Sequence, residues 1–153
     1  MLAVITSDLH DRLDILRAIL SAHTDADLYL DAGDSSRRPA ELEPFITVKG
    51  NCDLHGSERF RVIEFGSARI LLFHGDRADL SDEGLYMLAL RHRCEIVIHG
   101  HTHVPKYHCF RGVQIICPGS PAFPRGGSKP TYALLRGDPV EKVEFITVSH
   151  EKS

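Results

Sequence analysis

Residues 2–10 read LAVITSDLH, a short apolar run followed at once by two polar side chains, Asp8 and His10. The run at 2–6 is rich in branched residues, which predicts a buried β-strand. Residues 11–22 carry leucines three or four positions apart on one face, which predicts an α-helix. A strand that passes through a polar turn into a helix is typical of α/β folds.

The same alternation continues along the chain. A second helix is predicted at 81–92, with Ser81 as a favourable N-cap. Further strands are predicted at 26–30, 45–49, 59–65, 69–73, 95–98, 107–110, 113–117, 132–135 and 140–148. The first two-thirds is βαβ-like and the last third is strand-rich. We therefore expect an α/β fold, with two packed mixed sheets flanked by helices, in a single domain over residues 1–153.

The composition is that of an ordinary folded protein, with 42% hydrophobic and 25% charged residues. A net charge of -3 offers no basic field for a stable nucleic-acid complex. No stretch approaches the roughly 18 apolar residues that a membrane span needs. The four cysteines are widely spaced, and no signal peptide precedes them, so we expect free thiols and a cytoplasmic location.

Seven polar side chains follow predicted strands, on five separate loops. They are Asp8, His10, Asp34, Asn51, His74, His101 and His103. Loops at strand ends of α/β sheets converge on one edge, so these residues should lie together. Carboxylate, amide and imidazole without a thiol favour Mn, Fe, Zn, Ni or Co over a structural cysteine-based zinc site. Glycines beside most of these residues would let the backbone approach an ion closely.

The order D-x-H, GD, GN, HG and GHTH, from Asp8 to His103, resembles the calcineurin-like metallophosphoesterases. The later PGS at 118–120 and the PR at 124–125 extend this resemblance. The chain looks most like the small YfcE-like phosphodiesterases, in which a GNCD variant of the asparagine motif is at home. The resemblance implies an α/β/β/α sandwich of four layers.

The resemblance also implies two divalent metal ions, manganese first among the candidates. One ion would be held by Asp8, His10, Asp34 and His103. The other would be held by Asp34, Asn51, His74 and His101, with Asp34 bridging. Asp34, Asn51 and His74 are the implied catalytic residues, and a hydroxide between the ions would attack the phosphorus.

Cys52 departs from the wider superfamily, in which a histidine after the GN asparagine is taken to protonate the leaving group. A thiol with an ordinary pKa of ~8.5 is a poorer general acid near neutral pH. Cys52 therefore suggests a restricted range of substrates. Arg125 is a candidate phosphate clamp, because a guanidinium fits phosphate oxygens, and surface placement is the alternative. Weaker candidates near the site are Arg37, Arg38, His55, Asp53 and His99.

The sequence thus predicts a two-metal phosphoesterase that acts on a small phosphodiester. A phosphomonoesterase or a pyrophosphate-cleaving hydrolase stays open, because the metal ligands do not encode which ester is cut. A third alternative is an interaction scaffold like the retromer subunit of this fold. That subunit has a degraded ligand set, whereas all seven ligand positions are filled here. The sequence also leaves homo-oligomerisation open.

Overall fold

The computed structural model describes residues 1–54 and 58–149, and the described chain forms two five-stranded sheets. The first contains β1 (Leu2–Thr6), β2 (Leu28–Asp31), β3 (Ile46–Thr47), β9 (Thr131–Arg136) and β10 (Lys142–Thr147). The second contains β4 (Phe60–Phe65), β5 (Ala68–Phe73), β6 (Ile96–Ile98), β7 (Pro105–Phe110) and β8 (Val113–Pro118). The helices are α1 (Leu13–Ala22), α2 (Asp82–His92) and a short 3₁₀ helix (Pro39–Leu42).

Both sheets mix parallel and antiparallel pairs. The first sheet has the order β10-β9-β1-β2-β3, with parallel pairing from β1 to β2 and from β2 to β3. The second has the order β4-β5-β6-β8-β7, with parallel pairing from β5 to β6 and from β6 to β8. The carboxyl ends of β1, β2, β5 and β6 carry the loops that contain most of the predicted ligands.

Side chains alternate between the two faces of each sheet. Ala3 and Ile5 of β1 point into a core shared with Ile70 and Leu72 of β5, between the sheets. Val4 of β1 points the other way, into a second core that contains the apolar face of α1. The outer face of the other sheet packs against α2 in a third core. These layers confirm the predicted α/β/β/α sandwich of two mixed sheets.

Helix α2 begins where the sequence predicts. The Oγ of Ser81 accepts a hydrogen bond from the amide of Gly84 at 3.1 Å, an N-cap of the kind that contributes about 1 kcal/mol. Acidic residues lie in its first turn and basic residues in its last, which suits the helix dipole. Leu85 and Ala89 face the sheet.

Other boundaries differ from the predictions. The first helix begins at Leu13 instead of Asp11, because Asp11 has a left-handed backbone with a φ of 76°. The strand predicted at 45–49 is only the two-residue β3, and the 3₁₀ helix that precedes it was not predicted. Strand β7 starts at Pro105, two residues before the predicted start.

Neither α-helix of the described chain has the length and apolar character of a membrane-spanning segment. All four cysteines are free thiols, as predicted. His150, which we expected on the surface, lies outside the described residues.

Candidate metal centre

The loops after β1 and β2 lie side by side and are joined through their backbones. The amide of Asp8 donates to the carbonyl of Gly33, and that of His10 donates to the carbonyl of Asp34, both at 2.9 Å. Parallel pairing of β1 with β2 brings these loops to the same edge of the sheet. The polar side chains that follow the two strands therefore face one another.

Five of the predicted ligands have a left-handed backbone. The φ angles are 55° at Asp8, 43° at His10, 58° at Asp34, 73° at His101 and 62° at His103. Non-glycine residues rarely adopt this region, although aspartate and histidine do so more often than most. Such conformations collect at functional sites, where the surrounding structure holds them in place.

The carboxylate of Asp8 is fully buried at the centre of the site. Its Oδ2 accepts hydrogen bonds from the Ser7 hydroxyl at 2.6 Å and from the His101 amide at 3.0 Å. Its Oδ1 lies 3.2 Å from Nε2 of His103 and 3.7 Å from Nε2 of His74. One oxygen thus fixes the carboxylate, and the other faces a group of imidazoles.

Two of these imidazoles are oriented by backbone carbonyls. Nδ1 of His103 donates to the carbonyl of Phe123 at 2.6 Å, and Nδ1 of His74 donates to that of Ala32 at 2.7 Å. A proton on Nδ1 leaves the Nε2 lone pair free to face the site. Carbonyl acceptors behind an imidazole are the usual means by which proteins orient a metal-binding histidine.

Asp34 connects the loops of both sheets. Its Oδ1 accepts a hydrogen bond from the amide of Cys52 at 2.8 Å, and its Oδ2 lies 3.1 Å from Nε2 of His74. The carboxylate of Asp53 accepts from the amides of Asp34 at 2.9 Å and Gly50 at 2.8 Å. Asp53 thus fixes the loop that carries Asn51 and Cys52 against the loop that carries Asp34.

The charges of the site reinforce each other. Burial opposes ionisation of Asp34, but the neighbouring His74 imidazole and the Cys52 amide outweigh it and lower the pKa of Asp34 to about 2. Burial alone would lower the pKa of His74, yet Asp34 and Asp8 raise it to about 9. The carboxylates therefore favour positive charge at this position, and a divalent cation would supply it.

The donor atoms fit a metal ion. Within residues 1–54 and 58–149, three sets of possible ligand atoms lie within 4.8 Å of one another. These sets are Asp8 with His10 and His103, Asp8 with Asp34 and His74, and His10 with Asp34 and Cys52. Asp8 Oδ1 and His74 Nε2 are buried and have no hydrogen-bond partner among the described atoms. Buried polar atoms are rarely left unpaired, and coordination to a cation would satisfy both.

A cleft of about 540 Å³ opens beside these ligands. It is lined by His10, His103, Ala122, Phe123, Pro124 and Arg125. Its volume lies in the usual range for small-molecule sites.

The sequence of residues 1–138 matches the calcineurin-like phosphoesterase superfamily domain. The chain belongs to the calcineurin-like phosphoesterase superfamily. This is a family of metal-dependent hydrolases of phosphate esters. A Bacillus subtilis relative, "Probable metallophosphoesterase YsnB", is 34% identical over 142 residues, which are 88% of this chain and 83% of YsnB.

Solved structures of other proteins share the fold of this calcineurin-like phosphoesterase. A Streptococcus pneumoniae protein described as a predicted phosphoesterase has a TM-score of 0.88 and 30% identity, and covers 95% of this chain and 88% of its own. An archaeal phosphodiesterase has a TM-score of 0.75 and 22% identity, and the match covers 95% of this chain and 100% of the archaeal chain. Vps29 of Chaetomium thermophilum has a TM-score of 0.77 and 19% identity, and the match covers 89% of this chain and 82% of the Vps29 chain.

The structure of this calcineurin-like phosphoesterase brings together five of the seven predicted ligands: Asp8, His10, Asp34, His74 and His103. The other two lie next to this group. The His101 ring packs edge-on against His74 with centroids 5.2 Å apart, and the Asn51 amide points to the sulfur of Cys52 at 3.7 Å. Cys52 itself approaches His10 and Asp34, although the sequence analysis placed no thiol among the ligands.

The weaker candidates lie in different places. Arg37 pairs with Asp11 at 2.5 Å and with Glu41 at 3.3 Å, so acidic side chains already engage its charge. His99 is buried, and burial lowers its pKa to about 4; Nδ1 donates to the carbonyl of Gly100 at 2.9 Å. His55 lies outside the described residues. Arg125 is exposed at the cleft, and Arg38 is exposed near the 3₁₀ helix.

Sequence reasoning missed three residues of this phosphoesterase that position the ligands. Ser7 fixes the Asp8 carboxylate, Ser120 donates to the Asp8 carbonyl at 2.8 Å, and Phe123 orients His103. What marks Ser7 is its contact with Gly100, a residue that is close in space but distant in the sequence. A Cβ on Gly100 would lie 1.9 Å from the Ser7 hydroxyl, so only glycine fits there.

Proposed function

We propose that the chain hydrolyses phosphodiesters with the help of two divalent cations, manganese first. Asp8, His10, Asp34 and His103 would hold one ion. Asp34, Asn51, His74 and His101 would hold the other. Asp34 has one carboxylate oxygen near His74 and belongs to a second set with His10, which supports its role as the shared ligand.

One observation carries this proposal. Asp8 Oδ1 and His74 Nε2 lie 3.7 Å apart, buried and without hydrogen-bond partners in the described chain. Leaving two such atoms unpaired costs a few kcal/mol, unless a ligand satisfies them. In the assignment above, the first ion would satisfy the Asp8 carboxylate oxygen and the second would satisfy the His74 imidazole lone pair.

The protein's own residues would prepare the reaction. When bound, the cations supply water activated at neutral pH and positive charge that offsets charge on the phosphate. Backbone carbonyls hold His74 and His103 in the orientation that presents Nε2. Arg125 lies on the cleft beside His10 and His103, where its guanidinium would bind phosphate oxygens. Asp34, Asn51 and His74 would be the residues nearest the chemistry.

The preference for diesters follows the resemblance to the YfcE-like subgroup and agrees with the archaeal phosphodiesterase of the same fold. A phosphomonoesterase or pyrophosphate-cleaving hydrolase is the closest alternative, because the same metal ligands serve each reaction. A scaffold role like that of Vps29 is the alternative of another kind. The assembled carboxylates and imidazoles favour an enzyme over a scaffold.

An activity screen with added metal tests the proposal. Purified protein with Mn, Fe, Co, Ni or Zn is assayed on aryl diesters, aryl monoesters, cyclic nucleotides and dinucleotides. We expect the fastest turnover with manganese and an aryl diester. Monoester hydrolysis that exceeds diester hydrolysis with every metal would select the first alternative, and no hydrolysis by metal-loaded protein would select the scaffold.

Two ligand variants test the shared carboxylate. Asp34→Ala should abolish activity and reduce bound metal at both sites, whereas His10→Ala should retain residual activity at high manganese. Asp25→Ala removes an exposed aspartate from the opposite end of the sheet and serves as the control for folding. Equal residual rates and metal contents in the two ligand variants would contradict the bridging role of Asp34.

A further inference from the structure

Phe123 is an aromatic residue beside the candidate metal centre, and the residue is 45% exposed. It lies in the loop at 119–130, between β8 and β9, and lines the cleft of about 540 Å³. The ring meets that of His10 edge-on, with centroids 5.5 Å apart and an interplanar angle of 79°. The aromatic surface is thus next to a predicted ligand and open to the cleft.

The backbone that carries this ring is held by hydrogen bonds to residues of the candidate metal centre. The Ser120 hydroxyl donates to the Asp8 carbonyl and accepts from the amide of Phe123, both at 2.8 Å. The Phe123 carbonyl accepts from Nδ1 of His103. The amide of Arg125 donates to the carbonyl of His103 at 3.3 Å. The backbone at Phe123 is therefore tied to the loops of Asp8 and His103, two of the predicted ligands.

None of these contacts needs an aromatic side chain. The amide and carbonyl of Phe123 would make the same hydrogen bonds with any non-proline residue at this position. The three side chains at 122–124 are apolar, and together they form one wall of a cleft whose other members are His10, His103 and Arg125. A pocket with an apolar wall and a few convergent polar groups is the usual form of a small-molecule site.

We propose that Phe123 is a stacking platform for an aromatic ring carried by the substrate, with the adjacent Arg125 bound to the phosphate. This rests on the proposed function and narrows it to phosphodiesters with an aryl or nucleobase substituent. An aromatic ring gains from offset or edge contacts with Phe123 beyond the area that it buries. An alkyl substituent of the same charge would gain little at this wall.

Two phosphonates that differ only in the ring test this inference. Phenylphosphonate and methylphosphonate are titrated calorimetrically into the manganese-loaded protein, and the ratio of their dissociation constants is compared between variants. We expect wild type to bind phenylphosphonate about tenfold more tightly. Phe123→Ala and Phe123→Leu should bring the ratio close to one, and Phe123→Tyr should keep it. Phe123→Leu keeps the apolar volume, so it carries the test where Phe123→Ala does not fold.

Phe145→Ala is the matched control, since it removes a ring of 36% exposure on β10, and the ratio should stay at the wild-type value. A wild-type ratio near one, no phosphonate binding, or an unchanged ratio in Phe123→Leu would overturn the role of Phe123. Hydrolysis of bis-(p-nitrophenyl) phosphate is measured on the same samples. A metal-loaded wild type that hydrolyses the diester but shows no preference for phenylphosphonate refutes the stacking platform alone. A metal-loaded wild type that hydrolyses nothing refutes the proposed function.

Discussion

Cys52 is the residue that most distinguishes this chain from the wider superfamily pattern. Its amide donates to Asp34 Oδ1, and its sulfur is close to donor atoms of both His10 and Asp34. The side chain therefore stands beside the proposed reaction centre, at the position where a protonating histidine is expected elsewhere. A thiol gives less help to a leaving group that needs a proton.

Cys52→His should accelerate esters with poor leaving groups more than those with good ones. General acid catalysis supplies about 10²–10⁴-fold, and we expect the low end because Cys52 is exposed, so that an imidazole there would not be held in one orientation. The measurement is the dependence of rate on leaving-group pKa, with metal content matched. Cys109→His, on an exposed cysteine of β7, is the control. If the slope is the same in wild type and Cys52→His, position 52 takes no part in protonating the leaving group.

At the scale of elements, Asp31 joins the carboxyl ends of three parallel strands. Its carboxylate, at the end of β2, accepts hydrogen bonds from Thr6 of β1 at 3.0 Å and from Thr47 of β3 at 2.8 Å. Complete burial raises the pKa of Asp31 to about 7, and the two hydroxyls and the Gly33 amide offset only part of that effect. Folding thus favours the protonated carboxyl.

Wild type should therefore lose stability as the pH rises. The unfolded Asp31 ionises near its ordinary pKa of ~3.9 and the folded one near 7, so this contribution is complete at low pH and is lost through pH 7. Between pH 5 and pH 8 the loss is roughly 2–3 kcal/mol. Asp31→Asn should abolish this dependence, as measured by urea unfolding at both pH values. Asp25→Asn is the control, and parallel profiles for wild type and Asp31→Asn would refute the raised pKa.

Local patterns in the sequence predicted most elements and the site, while contacts distant in sequence decided the rest. Strand β1 and the Ser81 cap follow from residues that are neighbours in the chain. The pairing of β1 with β9 does not, because those strands are more than a hundred residues apart. Ser120 was missed for the same reason, since its partner is the Asp8 carbonyl at a separation of 112 residues.

At the scale of the whole molecule, the candidate metal centre lies between the two sheets. Asp8, His10 and Asp34 follow strands of the first sheet, and His74 and His103 follow strands of the second. A cation held by both sets would therefore tie the sheets together at one edge. Ligands that bind only the folded state stabilise it by mass action.

Adding manganese to protein treated with a chelator should raise the midpoint of thermal unfolding. At a hundred times the dissociation constant the gain is about 2.7 kcal/mol, which corresponds to about 5–10 °C for a chain of this size. The increase should be much smaller in Asp34→Ala and unchanged in Asp25→Ala. Identical midpoints with and without manganese in wild type would show that no cation joins the sheets.

The left-handed backbone at five predicted ligand positions also decides which substitutions would be favoured there if only folding mattered. Each such residue costs roughly 1 kcal/mol or more compared with glycine. Glycine at these positions would therefore improve folding while it removed the donor atoms. Once the chemistry is no longer needed, substitutions that remove the predicted ligands and keep the sandwich would make the folded state more stable. A chain that carries all seven of these polar side chains therefore keeps, at five of the positions, a backbone that glycine would adopt at lower cost.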